Sequence, residues 1–213
     1  MIESGVGNWL RVPRQNAGSM NIFPGGFTGP TIVAFLGAMD ITKLIRTVPD
    51  FPKPGVQFRD ITTLLRDADA FRAVVDALVD AYAGQAIDKV AAIESRGFIF
   101  GAALAHALRA GFVPIRKRGK LPAECFGADY ELEYGTDRLE VHRDGVQAGE
   151  RVLLMDDLIA TGGTAEAALA LLRTAGALTV GCAFVIELTD LGGRARLERL
   201  GHPVLSLARF AGA

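Results

Sequence analysis

The chain has 213 residues, with 23 lysines and arginines against 24 aspartates and glutamates, a formal net charge of −1 and a pI near 6.3. That length suits one ordinary soluble domain with room for a substantial core, and the balanced charge excludes an overall positive field that would hold nucleic acid or an anionic membrane. Cys125 and Cys182, the two cysteines, lack metal-type spacing and fit a reducing, cytoplasmic setting better than a disulfide-stapled fold; no apolar run is long enough for a membrane span.

Residues 1–38 carry seven glycines and three prolines and no sustained period, so they are expected to form a poorly ordered extension before a domain over 39–213. A signal peptide is the rival reading, since Arg11 and Arg14 precede an apolar stretch over 31–38. That stretch is short, and Gly25, Gly26, Gly29 and Pro30 separate it from the basic residues. A start at Met39 is the other alternative.

From Asp40 onward, Ile41, Leu44, Ile45 and Val48 recur at helical spacing, which predicts a short opening helix stopped by Pro49. Phe71, Val74, Val75, Leu78, Val79 and Tyr82 predict a second helix, closed by Gly84. "KVAAI" (89–93) is a compact apolar strand, 97–111 a helix ending at glycine, and "FVPI" (112–115) another strand. "RVLLM" (151–155), a helix over 163–175 and "TVGCAFVIEL" (179–188) repeat the strand–helix–strand pattern. Apolar strands alternating with helices predict an α/β fold, a central mostly parallel sheet flanked by helices, with ligands beyond the strands' carboxyl ends.

The stretch "LLMDDLIATGGT" (153–164) places Asp156 and Asp157 at such an end. The following Ala160, Thr161, Gly162, Gly163 and Thr164 turn into a helix, so backbone N–H groups and two hydroxyls converge at a positive helix end, a cradle for one phosphate. The lysine of a P-loop is missing and the spacing is not that of a dinucleotide fingerprint. Two acids before a phosphate cradle suit a phosphorylated sugar, whose hydroxyls donate to carboxylates. A generic strand–helix turn with solvated acids is the bland alternative. "IRKRGK" packs Arg116, Lys117, Arg118 and Lys120 into five positions, a pattern that alone more often marks a solvated face. "YELEYGTDRLEVHR" alternates and turns near Gly135, which predicts a hairpin able to cover a site and exclude water.

"VLLMDDLIATGGT" resembles the signature of the type I phosphoribosyltransferases. "FPKPGVQFRDITTLL" (51–65), "IESRGFIFG" (93–101), "RKRGKLP" (116–122) and "YELEYG" (130–135) narrow the similarity to the adenine phosphoribosyltransferase family, over about 39–207. The resemblance implies the type I fold with a flexible hairpin flap and a small N-terminal hood. It also implies purine salvage, in which 5-phospho-α-D-ribose 1-diphosphate and adenine give AMP and diphosphate with Mg²⁺ held mainly through the diphosphate, in a homodimer. By that similarity Asp156 and Asp157 hold the ribose hydroxyls, and residues 160–164 bind the 5-phosphate. Arg96 and the Ser95 backbone meet the diphosphate, beside a cis peptide near Glu94 and Ser95, and surface pairing with Glu94 is the alternative for Arg96. Arg116 and Lys120 reach the diphosphate, Arg116 from the partner subunit. Glu133 is the acid or base near the purine, with Tyr134 beside it. Phe58 stacks on adenine, the backbone of Gln57 and Arg59 reads its edge, and Leu158 covers its other face. Gln57 and "CFGADYE" (125–131) depart from the family pattern. Xanthine or guanine transfer, a phosphoribosyl-diphosphate-sensing regulator and a metal-dependent phosphatase are the competing functions.

Overall fold

The computed structural model describes residues 39–132 and 135–212; the expected extension over 1–38 lies outside them. In chain order the elements are β1 (Arg46–Pro49), β2 (Gln57–Asp60), α1 (Thr62–Leu65), α2 (Ala68–Ala81), β3 (Lys89–Ile93), α3 (Gly97–Leu108) and β4 (Gly111–Lys117). Then follow β5 (Cys125–Leu132), β6 (Gly135–His142), β7 (Arg151–Ile159), α4 (Gly163–Thr174), β8 (Leu178–Leu188), α5 (Gly193–Arg199) and β9 (Val204–Phe210). Seven strands form one sheet in the order β5-β6-β4-β3-β7-β8-β9. The run from β4 to β9 is parallel, and the β5–β6 hairpin adds antiparallel to the edge of β4. The expected mostly parallel sheet is therefore present.

Period-two alternation along each strand buries both faces. Val90, Ala92, Leu153 and Met155 face α2 and α3, where Val74, Leu78, Phe100 and Leu104 cover them. Ala91, Ile93, Val152 and Leu154 face the other way, against Leu169 and Leu172 of α4. Helix α2 starts where the Asp67 carboxylate accepts from the N–H groups of Asp69 (3.1 Å) and Ala70 (3.0 Å), an N-cap. Helix α3 stops earlier than the glycine at 111, at Arg109, whose φ of 55° is left-handed.

The opening helix expected over 40–48 is a correction. Asp40 caps a single 3-10 turn (Ile41–Leu44), and the chain then extends as β1 and pairs antiparallel with β2, Val48 opposite Phe58. Ile41 and Ile45 are buried as the periodicity required. However, Ile45, Thr47 and Val48 are β-branched and Pro49 lacks an N–H, so the segment beyond one turn favours extension. The resulting two-stranded hood carries Phe58.

Candidate active site

The chain leaves β3 toward β4 on one side and later returns to β7 on the other, so the strand order reverses between β3 and β7. Ligands in open parallel sheets bind beyond the carboxyl ends at such a reversal. Glu94, Ser95 and Arg96 follow β3 there, and Asp156 and Asp157 lie on β7 just past Met155, the last residue paired with β3. Strand β7 itself runs on beside β8 to Ile159, four residues beyond the expected end at Met155, so the acids stand on a strand held from one side only.

Asp157 is buried, and Arg96 Nε lies 2.9 Å from its Oδ2. The contact is a charge pair without an aligned hydrogen bond, which leaves Asp157 Oδ2 a buried acceptor with no donor. Asp156 accepts the Asp157 N–H at Oδ1 (2.8 Å). Gly97, at the start of α3, packs on this carboxylate so closely that a Cβ there would meet Asp156 Oδ1 at 2.8 Å. Burial, reinforced by the charge of Asp157, raises the Asp156 carboxyl well above its ordinary range. Burial also raises Asp157, against the opposing pull of Arg96. Neighbouring carboxyls with raised pKa values at a strand tip mark a functional site better than a surface pair does.

Residues 160–164 wrap the N-terminal end of α4. Gly162 has a φ of 81°, a left-handed conformation that glycine adopts without steric penalty, and it forms the helix N-cap. Gly163 and Thr164 open the helix, so the loop singled out in the sequence lies at the positive end of α4.

The peptide between Glu94 and Ser95 is cis, as the resemblance implied. Glu94 does not pair with Arg96. Its buried carboxylate instead accepts from Arg116 Nε (3.1 Å) and the Lys117 N–H (3.1 Å) and pairs with Lys120 Nζ. Arg116 also donates to the Lys120 carbonyl at 2.9 Å. The cationic loop is thus fixed to the tip of β3, and although burial opposes it, these donors hold the Glu94 carboxyl below its ordinary value.

On the hood, Phe58 packs edge-on to Phe51 with centroids 5.1 Å apart, and the Arg96 guanidinium lies 5.2 Å from the Phe58 ring centroid. A cavity of about 410 Å³ opens here between Val48, Phe51, Phe58, Ile61 and Arg96. The Arg59 side chain turns away from it, stacking on Phe210 at 4.5 Å and bonding Thr47 Oγ1, so Arg59 offers the site its backbone. Its carbonyl faces Arg96 Nη1 at 3.5 Å. Gln57 opens β2 beside Phe58, and Leu158 is half-buried between the acids and Ile159. Another cavity, about 480 Å³ beside Lys43, Arg46 and Arg66, is lined by none of the residues expected at the site.

Glu133 and Tyr134 lie outside the described residues. Three residues near the site went unassigned from sequence. The Tyr130 hydroxyl donates to Asp137 Oδ2 (3.2 Å), which also pairs with Lys117 Nζ (3.1 Å). Burial, then the charge of Asp137, pushes the Tyr130 hydroxyl up to about 12, and the Thr164 hydroxyl and Asp156 act on it too. Alternation along the hairpin singled out the strands but gave no sign of which residue would meet the phosphate loop.

The sequence pattern of the family described as "Phosphoribosyl transferase domain" matches residues 61–204. An adenine phosphoribosyltransferase of Methylobacillus flagellatus is 61% identical over 172 residues, 81% of this chain and 98% of that protein. The chain belongs to the adenine phosphoribosyltransferase family. Among solved family members, the enzyme from Rhodothermus marinus is 51% identical, with a TM-score of 0.78 over 84% of this chain and 99% of its own. The Trypanosoma brucei enzyme in complex with AMP, pyrophosphate and ribose-5-phosphate is 28% identical, with a TM-score of 0.73 over 86% of this chain and 81% of its own.

Proposed function

We propose that this chain transfers the 5-phosphoribosyl group from 5-phospho-α-D-ribose 1-diphosphate to N9 of adenine, giving AMP and diphosphate in purine salvage. The bond from the sugar C1 to the diphosphate oxygen breaks, the bond from C1 to N9 forms, and the N9 proton leaves the base. The observation that carries this is the meeting at one strand reversal of three parts: the acid pair, the phosphate loop and the Phe58 cavity, with Arg96 between them. The AMP, pyrophosphate and ribose-5-phosphate named for the T. brucei complex are of the chemical classes that these three parts would take.

Asp156 and Asp157 accept from the ribose hydroxyls, and the orphaned Asp157 Oδ2 is the acceptor that such a hydroxyl satisfies. Carboxylates beside the sugar favour a transition state with positive character at C1. Ala160, Thr161, Gly162, Gly163 and Thr164 bind the 5-phosphate. Ser95, Arg96 and Lys120 take the diphosphate together with Arg116 of the partner subunit, and the diphosphate competes with Glu94 for Lys120 and Arg116. Phe58 and Leu158 sandwich adenine while the backbone of Gln57 and Arg59 reads its edge, Glu133 handles the base's proton, and Tyr134 closes beside it.

Mg²⁺, when bound, neutralises charge on the leaving diphosphate. It would be held mainly through the diphosphate, and such an ion needs at most one or two protein carboxylates, which Asp156 and Asp157 could supply beside the sugar. No cluster of three or more His, Cys, Asp or Glu ligands occurs among the described residues. The chain works as a homodimer, as the resemblance to the family implies. A cytoplasmic location is supported by two free cysteines; no helix among the described residues is long and apolar enough to cross a membrane.

Incubation with the donor, Mg²⁺ and each of adenine, hypoxanthine, guanine and xanthine tests the assignment. AMP from adenine is the expected product. Nucleotide from the oxopurines alone would move the assignment to xanthine or guanine transfer, and tight donor binding without any nucleotide would move it to a sensor.

A further inference from the structure

Among the described residues, a heavily bonded ion group lies outside the parts just described. Glu187, on β8, is buried and sits opposite Ile159, the residue just before the phosphate loop. It accepts from Arg194 Nε (2.9 and 3.0 Å), Arg194 Nη2 (2.7 Å) and Arg209 Nη2 (3.3 Å), and from Ser206 Oγ. Arg194 spends its remaining donors on the Val204 carbonyl (2.6 Å), Ser206 Oγ (2.7 Å) and Glu198 (3.3 Å). Every donor of this guanidinium is therefore used within the chain, although an apolar replacement of similar volume would often hold a fold equally well.

One residue before Arg194 the chain touches the cradle. The Gly193 N–H donates to the Ala160 carbonyl at 3.1 Å. A Cβ on Gly193 would meet that carbonyl oxygen at 2.3 Å, Ile159 Cγ1 at 2.7 Å and the Gly162 nitrogen at 3.0 Å. Gly162 in turn has its own would-be Cβ 3.1 Å from both Gly193 Cα and O. Two residues after Arg194, Arg196 pairs with Glu166 in the first turn of α4. The loop at 160–162 thus lies on a backbone surface whose position the neighbouring arginine fixes.

We propose that Glu187 and Arg194 are positioning residues for the phosphoribosyl donor: their buried pair seats Gly193 against Ala160 and Gly162 and so sets the shape of the 5-phosphate cradle. The inference rests on the assignment of residues 160–164 to the 5-phosphate. Neither residue touches substrate; both act through the backbone of Gly193. A merely structural pair would, when cut, lower stability and weaken both substrates alike, whereas a cradle-setting pair weakens the donor and spares adenine.

Arg194→Met and Gly193→Ala should each raise the KM for 5-phosphoribosyl 1-diphosphate by about tenfold or more, with the KM for adenine within about twofold of wild type. Arg194→Lys, which keeps the charge but not the fork, should recover only part of the loss. Glu187→Gln, which cuts the same pair while keeping the side chain's shape, stands as the test if Arg194→Met does not fold, and Gly193→Ala tests the contact through which the pair acts. Calorimetric donor binding by the same variants reads the effect without turnover: wild type that binds donor but makes no AMP would sink the catalytic assignment alone. Folded Arg194→Met or Gly193→Ala protein that binds donor as wild type does, or a parallel loss for donor and adenine, would overturn the positioning role.

Discussion

Arg96 stands between Asp157 and Phe58, its Nε 2.9 Å from the carboxylate and its guanidinium 5.2 Å from the ring centroid. One planar cation thereby joins the sugar end of the site to the base end. Arg96→Lys keeps the charge but loses the flat surface that lies over Phe58, so activity should fall about tenfold or more. A titration of kcat/KM for both substrates checks it; unchanged values would reduce Arg96 to a charge partner of Asp157.

The acid pair should trade stability for function. Both carboxyls have pKa values raised by burial, so their ionised forms at neutral pH weigh against the fold; a raised carboxylate pKa lowers stability as pH rises above the unfolded value. Asp156→Asn should therefore melt higher than wild type at pH 7, by roughly 2–4 °C for each kcal/mol relieved. Asp157→Asn should lower nucleotide formation on the order of ten- to hundredfold, since a hydrogen bond to a charged group contributes about 1.5–3 kcal/mol. Melting curves and initial rates on the two variants decide both points.

The Tyr130 hydroxyl bonds Asp137 within the hairpin, and the Thr164 hydroxyl at the start of α4 also acts on it. Tyr130→Phe removes that group with little change in packing, and part of the about 1.5–3 kcal/mol that a hydrogen bond to a charged group contributes should be felt at the adjoining loop. A rise of about fivefold in the donor KM is expected; steady-state kinetics showing none would leave the tyrosine a packing residue.

The pH dependence of stability should expose the Glu187 pair. Burial works against ionisation there, yet donors from Arg194, Ser206 and Arg209 hold its carboxyl at about 2, below the ordinary 4.5. The folded value is depressed, so the stabilisation is complete above about 4.5 and disappears as pH falls toward about 2. The melting temperature of wild type should exceed that of Glu187→Gln at pH 7, and the gap should narrow across this window. A gap independent of pH would mean that charge at Glu187 is not what the network uses.

Much of this was legible in the sequence because local chemistry carries it. The apolar strands "KVAAI" and "RVLLM", the acids after the latter and the glycines after those are all encoded by neighbours in the chain. The hood was misread because Ile41, Leu44, Ile45 and Val48 satisfy helical spacing as well as they satisfy one turn followed by a strand. The partners of Glu94, the reach of Tyr130 and the seat of Gly193 were not legible at all. Gly193 meets Ala160 across more than thirty residues of chain, and such contacts are set by the order of strands in the sheet, which periodicity does not report.

The most direct measurement is chromatographic quantitation of products from adenine, 5-phosphoribosyl 1-diphosphate and Mg²⁺. The expected result is AMP and diphosphate in equal amounts, dependent on adenine. Release of inorganic phosphate with no nucleotide formed would contradict the assignment of this site to phosphoribosyl transfer.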